Sequence, residues 1–191
     1  MIMKQLKRYA VTGIIFVLIT GSLAHFLYDW TGNNPVVGLF TPVNESIWEH
    51  MKLLFFPMLL YLLFILYKFN ENRSCLVPAS CLSLLAGTFL IPLCYYAYTS
   101  LLGKAIFLLD IGTFIFSTLT AFWLFYRLSL SCRLKPYKNL LVFLVCILFA
   151  CFLFFTYRAP ALQIFQDPAV SSHFTFSSKS TTSPSSSRVV P

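Results

Sequence analysis

Five stretches of about 20 consecutive apolar residues, parted by short polar breaks, leave this chain few folds to choose from. They fall at residues 9–30, 46–67, 75–102, 105–126 and 139–157. A hydrocarbon core about 30 Å thick is crossed by about 20 helical residues rising about 1.5 Å each. Only helices and closed barrels satisfy the backbone in lipid. Barrel strands alternate apolar with polar residues, and the run Leu59-Leu60-Tyr61-Leu62-Leu63-Phe64-Ile65-Leu66 does not. The expected fold is therefore all-α, an integral membrane helical bundle of about five transmembrane helices over residues 1–168. With charged residues at only 10%, no soluble domain remains to be placed.

Lys and Arg set the orientation, because they gather on the cytoplasmic side. With the N-terminus inside, that side carries Lys4, Lys7, Arg8, Lys68, Arg73, Arg127, Arg133, Lys135 and Lys138, nine residues. The other side carries five: Lys52, Lys104, Arg158, Lys179 and Arg188. The first apolar stretch exceeds the about 7–15 residues of a signal-peptide core and reads as an uncleaved span. The net charge of +8 is explained by topology and by attraction to anionic lipid. No basic stripe is interleaved with aromatics as nucleic-acid binding requires, so membrane lipid is the expected partner and nucleic acid is not.

Acids show the opposite bias. Asp29, Glu45, Glu49, Asp110 and Asp167 fall on or near the outer side, and only Glu71 lies inside. An ionic side chain in a span is expensive and marks function more often than not. At about 1.5 Å per residue, His25 lies roughly 7 Å below the outer end of the first span, Asp110 at a similar depth in the fourth, and Glu49 and His50 slightly higher in the second. These groups are placed to share one outward-facing cavity. Glu45, Glu49, His50 and Asp110 are the candidate acid–base residues, with Glu49 or Glu45 as base and Asp110 orienting. His25, Glu49, His50 and Asp110 are the candidate ligands for a divalent metal such as zinc or manganese. The metal signal is sparse, for there is no His-Glu-x-x-His and no Cys-x-x-Cys, and adjacent Glu49 and His50 point about 100° apart on a helix.

A purely structural account competes for the same residues. Ser46 and Glu49 have the spacing of a capping box, Asn44 is a rival N-cap, and a carboxylate suits the first helical turn. Trp48 fits an interfacial aromatic belt. Lys52 either snorkels outward or pairs with Glu49 three residues earlier. Asp29 lies one turn from His25 and fits as its ion-pair partner. Asp110 has no cation at helical spacing, so its partner belongs on another helix, with His25 or His50 the candidates.

Between the first two spans, residues 31–43 are too rich in Gly, Asn and Pro for a spanning helix. Their apolar centre, residues 36–40, either caps the cavity or forms a surface loop. Pro57, Pro78 and Pro92 are placed to kink three spans. Cys75, Cys81, Cys94, Cys132, Cys146 and Cys151 read as small buried hydrophobes with no disulfide framework. No nucleophile motif, phosphate loop or dinucleotide fingerprint is present. A Pro-bounded segment at 159–168 is positioned to fold back over the site, and the Ser/Thr-rich tail, 169–191, is expected to be disordered.

The residues Gly21, His25-Phe26-Leu27-Tyr28-Asp29-Trp30, Gly32-Asn33-Asn34, Gly38, Phe40 and Pro42-Val43-Asn44-Glu45-Ser46-Ile47-Trp48-Glu49-His50-Met51-Lys52, continuing to Pro57, resemble an uncharacterised bacterial integral-membrane family, a domain of unknown function. The resemblance runs from about Lys7 to Pro168. It implies a small multi-span protein of a bacterial cytoplasmic (plasma) membrane and lends no reaction, cofactor or protein partner. Function is then carried by the ionisable cluster alone: an acid–base or metal-assisted site acting on a lipid-linked or envelope substrate, or alternatively a cation- or proton-coupled carrier, or a non-catalytic scaffold or sensor.

Overall fold

The computed structural model describes residues 2–166. Asp167, the tail at 169–191 and the expectation of disorder there lie outside the described residues. Within them the chain is helical and contains no strand: α1 (Ile2–Trp30), the short α2 (Pro35–Gly38), α3 (Ile47–Lys68), α4 (Arg73–Leu102), α5 (Phe107–Ser131) and α6 (Lys138–Phe155). Five of these helices are long and apolar enough to cross a membrane, which is compatible with a multi-pass membrane protein.

The long helices run alternately up and down because each connection is short. One end of the bundle, the site end, gathers the C-termini of α1, α4 and α6 with the N-termini of α3 and α5. The opposite, basic end carries Lys68, Arg73, Arg133, Lys135 and Lys138. Helices α3 and α4 are the most buried; α1 packs on α3 and α5, and α4 packs on α5, α3 and α6. Lipid is as apolar as Leu, so helix association rests on close packing. Small buried residues supply it along α4 and α5, among them Ser80, Ser83, Gly87, Ser117 and Ala121. On the other flank Phe152 of α6 is fully buried against Trp48, Phe55 and Phe56 of α3.

The structure corrects two readings. Cys75 and Cys132 form a disulfide across 57 residues, tying the start of α4 to the end of α5 at the basic end, whereas Cys81, Cys94, Cys146 and Cys151 are free. Trp48 does not face outward from the bundle as a belt residue is expected to. It is only 8% exposed, because residues 159–166 turn back and set Phe165 on it, ring centroids 4.8 Å apart.

Helix α1 stops in a turn whose chemistry is local. Gly32 takes φ +66°, and the amides of Gly32 and Asn33 donate to the carbonyls of Asp29 and Tyr28 at 3.0 Å each, a Schellman closure that favours glycine at its left-handed position. Asn34 then caps α2 by accepting from the Val36 amide at 2.9 Å, with Pro35 in the first turn.

Phe152→Ala removes a ring from the most aromatic part of the core. It is expected to lower the free energy of denaturant unfolding in detergent by about 3 kcal/mol, the lower end for Phe truncation because lipid offers the unfolded ring an apolar home. Phe154→Ala, on the exposed face of the same helix, should change it by less than about 0.5 kcal/mol.

Candidate functional site

Helix α3 begins at Ser46, whose hydroxyl accepts from the Glu49 amide at 3.4 Å. Only half of a capping box forms. The Ser46 amide donates to Asn44 Oδ1 at 3.0 Å, and the Glu49 carboxylate is used elsewhere. Its Oε2 accepts from Lys52 Nζ at 2.7 Å and from the Val43 amide at 3.1 Å.

Lys52 is 0% exposed and Glu49 2%. An ammonium carries three donors, and here each has an acceptor: Glu49 Oε2, the Gly38 carbonyl at 3.1 Å and Thr156 Oγ1 at 2.6 Å. The Thr156 hydroxyl in turn donates to the Phe152 carbonyl. One charge therefore joins α3, the end of α2 and the end of α6. Close approach is possible because position 38 has no side chain; a Cβ there would lie 2.5 Å from the Tyr157 hydroxyl and 2.6 Å from Val43. Tyr157 adds a second tie by donating to the Pro35 carbonyl at 2.7 Å. The connection at 31–46 is thus clamped over the start of α3.

Glu45 stands between two anchored points of that connection, Val43 and Ser46. The clamp fixes its backbone although its side chain is 58% exposed. Its Oε2 lies 3.6 Å from His25 Nε2 and 3.4 Å from His50 Nε2. The two imidazoles sit with ring centroids 5.3 Å apart, and one ligand atom from each of His25, Glu45 and His50 falls within 4.8 Å of the others. His50 Nδ1 donates to the Ser46 carbonyl at 2.9 Å; a carbonyl only accepts, so the proton belongs on Nδ1 and Nε2 is left to face Glu45. His25, with His50 adding to it, holds the Glu45 carboxyl below the usual carboxylate range against partial burial. A lowered carboxyl adds stability above its ordinary range and loses it as the pH falls through the lowered value; the bridge also needs a protonated imidazole, so it weakens again as the histidines lose their protons.

Beside this cluster is a cavity of about 630 Å³, within the about 300–1,000 Å³ of small-molecule sites. His25, Glu45, His50 and Asp110 all line it, and most of the remaining wall is apolar. Asp110 is bonded from another helix, but by the Tyr98 hydroxyl of α4 and not by a histidine. Buried Leu53, Ile91 and Thr113, each about one turn further into the bundle than His50, Tyr95 and Asp110, close the inner end.

Of the expected residues, the structure brings His25, Glu45, His50 and Asp110 to one cavity. It separates Glu49 and Lys52 from them, on another side of α3. Glu45 takes the place beside the histidines that the candidate metal set gave to Glu49. Asp29 is exposed and makes no side-chain hydrogen bond or ion pair among the described residues. Asn44 serves the turn before α3, and Trp48 belongs to the core. Two partners escaped sequence reasoning. Tyr98 is one of three tyrosines near the end of an apolar run, with nothing to single it out as the partner of Asp110, and Thr156 carries no signal beyond being a hydroxyl at the end of another such run.

A family profile covers residues 1–175, and with them the whole cluster. The chain belongs to DUF6512, a family of unknown function. No curated protein and no solved structure matches the chain.

Lys52→Met leaves Glu49 buried without its counter-charge. Unfolding in detergent should become easier by about 3–5 kcal/mol. Combining it with Glu49→Leu should give a loss smaller than the sum of the two single losses, the signature of direct coupling.

Proposed function

We propose that this chain is a metal-dependent membrane enzyme that acts on a lipid-linked substrate, with His25, Glu45 and His50 as the metal ligands. One observation carries the proposal: donors from three separate segments, α1, the connection and α3, converge at an apolar-walled cavity. The Nε2–Oε2 spacings of 3.4 and 3.6 Å are long for hydrogen bonds. Bonds of about 2.0–2.1 Å to a tetrahedral ion would set neighbouring ligand atoms about 3.3–3.4 Å apart, close to the two carboxylate–imidazole spacings; the three ligand atoms together lie within 4.8 Å, so the imidazoles would draw in on binding. Two histidines and one carboxylate leave a coordination position open, the arrangement of catalytic rather than structural zinc. A bound ion would lower the pKa of a water in that position and supply a nucleophile near neutral pH. Asp110, oriented by Tyr98, is the carboxylate across the cavity suited to carry a proton.

The closed inner end favours a site served from one side over a carrier, which needs a path to the other face. The Lys and Arg asymmetry supports an N-terminus in the cytoplasm and the site on the outer leaflet side, in the plasma membrane of a bacterium as the sequence resemblance implies.

Zinc titration of purified, metal-stripped protein followed by elemental analysis tests the ligand set. About one ion per chain is expected, with His25→Ala, Glu45→Gln and His50→Ala each weakening binding by about tenfold or more. A wild-type chain that takes up no zinc or manganese, or variants that bind as tightly, would overturn the assignment.

The orientation has its own test, because Cys75 and Cys132 lie at the basic end. The Cys75–Cys132 disulfide is at odds with a cytosolic basic end, where thiols are kept reduced; with that end in the cytosol the pair is reduced, and cells quenched in acid, denatured and treated with a mass-tagged alkylating reagent should show all six cysteines modified. A pattern of four, the number free in the structure, would place the basic end in an oxidising compartment.

A further inference from the structure

Where the cavity opens says what enters it. Ser22 and Phe26 are one turn apart on α1, Phe107 and Ile111 one turn apart on α5, and all four line the cavity. The same apolar side chains are exposed on the outside of the bundle: Phe26 by 52%, Phe107 by 78% and Ile111 by 40%. One side of the cavity, between α1 and α5, therefore has an apolar rim, next to the end of the bundle where exposed Glu45 and Ala105 also line it. Nearer the centre of the bundle the two helices close up, where the Phe114 ring seats on α1 at Gly21. A rim of this kind, on helices long enough to cross a membrane, faces acyl chains rather than water.

Charge selects the headgroup. Glu45 and Asp110 contribute carboxylates to the wall, His25 and His50 contribute imidazoles, and no Lys or Arg lines it. Lys52, the nearest cation along α3, has all three donors committed within its clamp. Among the wall's own side chains a phosphate meets no arginine fork or ammonium and approaches two carboxylates; a divalent ion on His25, Glu45 and His50 would offset Glu45, so this selection is a property of the metal-free wall. An uncharged carbonyl meets no such repulsion.

We infer that the cavity takes an uncharged acyl amphiphile, a fatty ester or amide, whose chain slides in between α1 and α5 and whose carbonyl stops beside His25, Glu45 and His50. The inference rests on the enzyme reading for its chemistry, and on the rim and wall for its ligand. The matching reaction is hydrolysis. Water adds its oxygen to the acyl carbon, the C–O or C–N bond breaks, and the proton released by the water passes to the departing alcohol or amine, Asp110 being placed to carry it. No co-reactant besides water is needed.

The test uses the full chain, stripped of metal so that the wall's own charges act and the ester is not turned over, in phosphatidylcholine nanodiscs with two probes of the same diazirine- and alkyne-bearing palmitoyl chain, one a methyl ester and the other a phosphatidic acid. Photolabelling by the ester is expected on peptides containing Phe26, Phe107 and Ile111, to be displaced by excess methyl palmitate, and to exceed that by the phosphatidic acid about tenfold, since like charges brought together cost several kcal/mol. Ile111→Trp, which fills the rim from an exposed position, should reduce it severalfold. Equal or stronger labelling by the phosphatidic acid, or labelling that excess ester does not displace, would overturn the inference. The two proposals fail separately. Displaceable ester labelling of a wild-type chain that takes up no zinc or manganese sinks the metal site alone, whereas stoichiometric zinc without displaceable labelling sinks the ligand assignment alone.

Discussion

A single ammonium, fully withdrawn from solvent, organises the site end of this bundle. Lys52 sits about two turns into α3, where an unpaired charge would be costly, and its position is tolerable only because three acceptors converge on it. Those acceptors come from α3 itself, from the last residue of α2 and from the chain just beyond α6. Removing the charge would release three segments at once. Buried ion pairs are often no more stabilising than apolar residues of the same shape, so the clamp is better understood as fixing one arrangement of the connection than as adding net stability.

What the clamp fixes is Glu45. That residue lies outside any helix and is more than half exposed, so no packing holds its side chain. Its backbone is held because Val43 is bound by Glu49 on one side and Ser46 caps α3 on the other. Neighbouring positions on α3 divide the work: Glu49 turns toward the clamp, and His50, about 100° further round the helix, turns toward the cavity. The hydrogen bond from His50 Nδ1 to Ser46 uses the helix's own first turn to orient the ring. Structural capping and a reactive cluster, which compete as explanations of residues 42–52, therefore occupy different faces of one helical start.

The spans were legible because the bilayer imposes one requirement everywhere: a run of apolar residues long enough to cross it. Their ends were less so. Helix α5 continues to Ser131, beyond the expected residue 126, since Arg127 ends the apolar run without ending backbone hydrogen bonding and lays its guanidinium over Trp123, 5.9 Å from the ring centroid. The shared depth of His25, His50 and Asp110 followed from a fixed rise per residue. The direction of Glu45 did not, because a non-helical residue has no period from which to compute a direction. Contacts between distant parts of the chain stayed hidden for the same reason: Trp48 under Phe165, Lys52 on Thr156, and Cys75 joined to Cys132 all depend on how the bundle closes.

X-ray absorption at the zinc edge of the zinc-loaded chain examines the convergence of α1, α3 and their connection most directly. A first shell of two imidazole nitrogens and one carboxylate oxygen, at about 2.0–2.2 Å and with an exchangeable water completing it, is the expected result. A shell of water alone, a shell containing sulfur, or a spectrum unchanged by His50→Ala would contradict it.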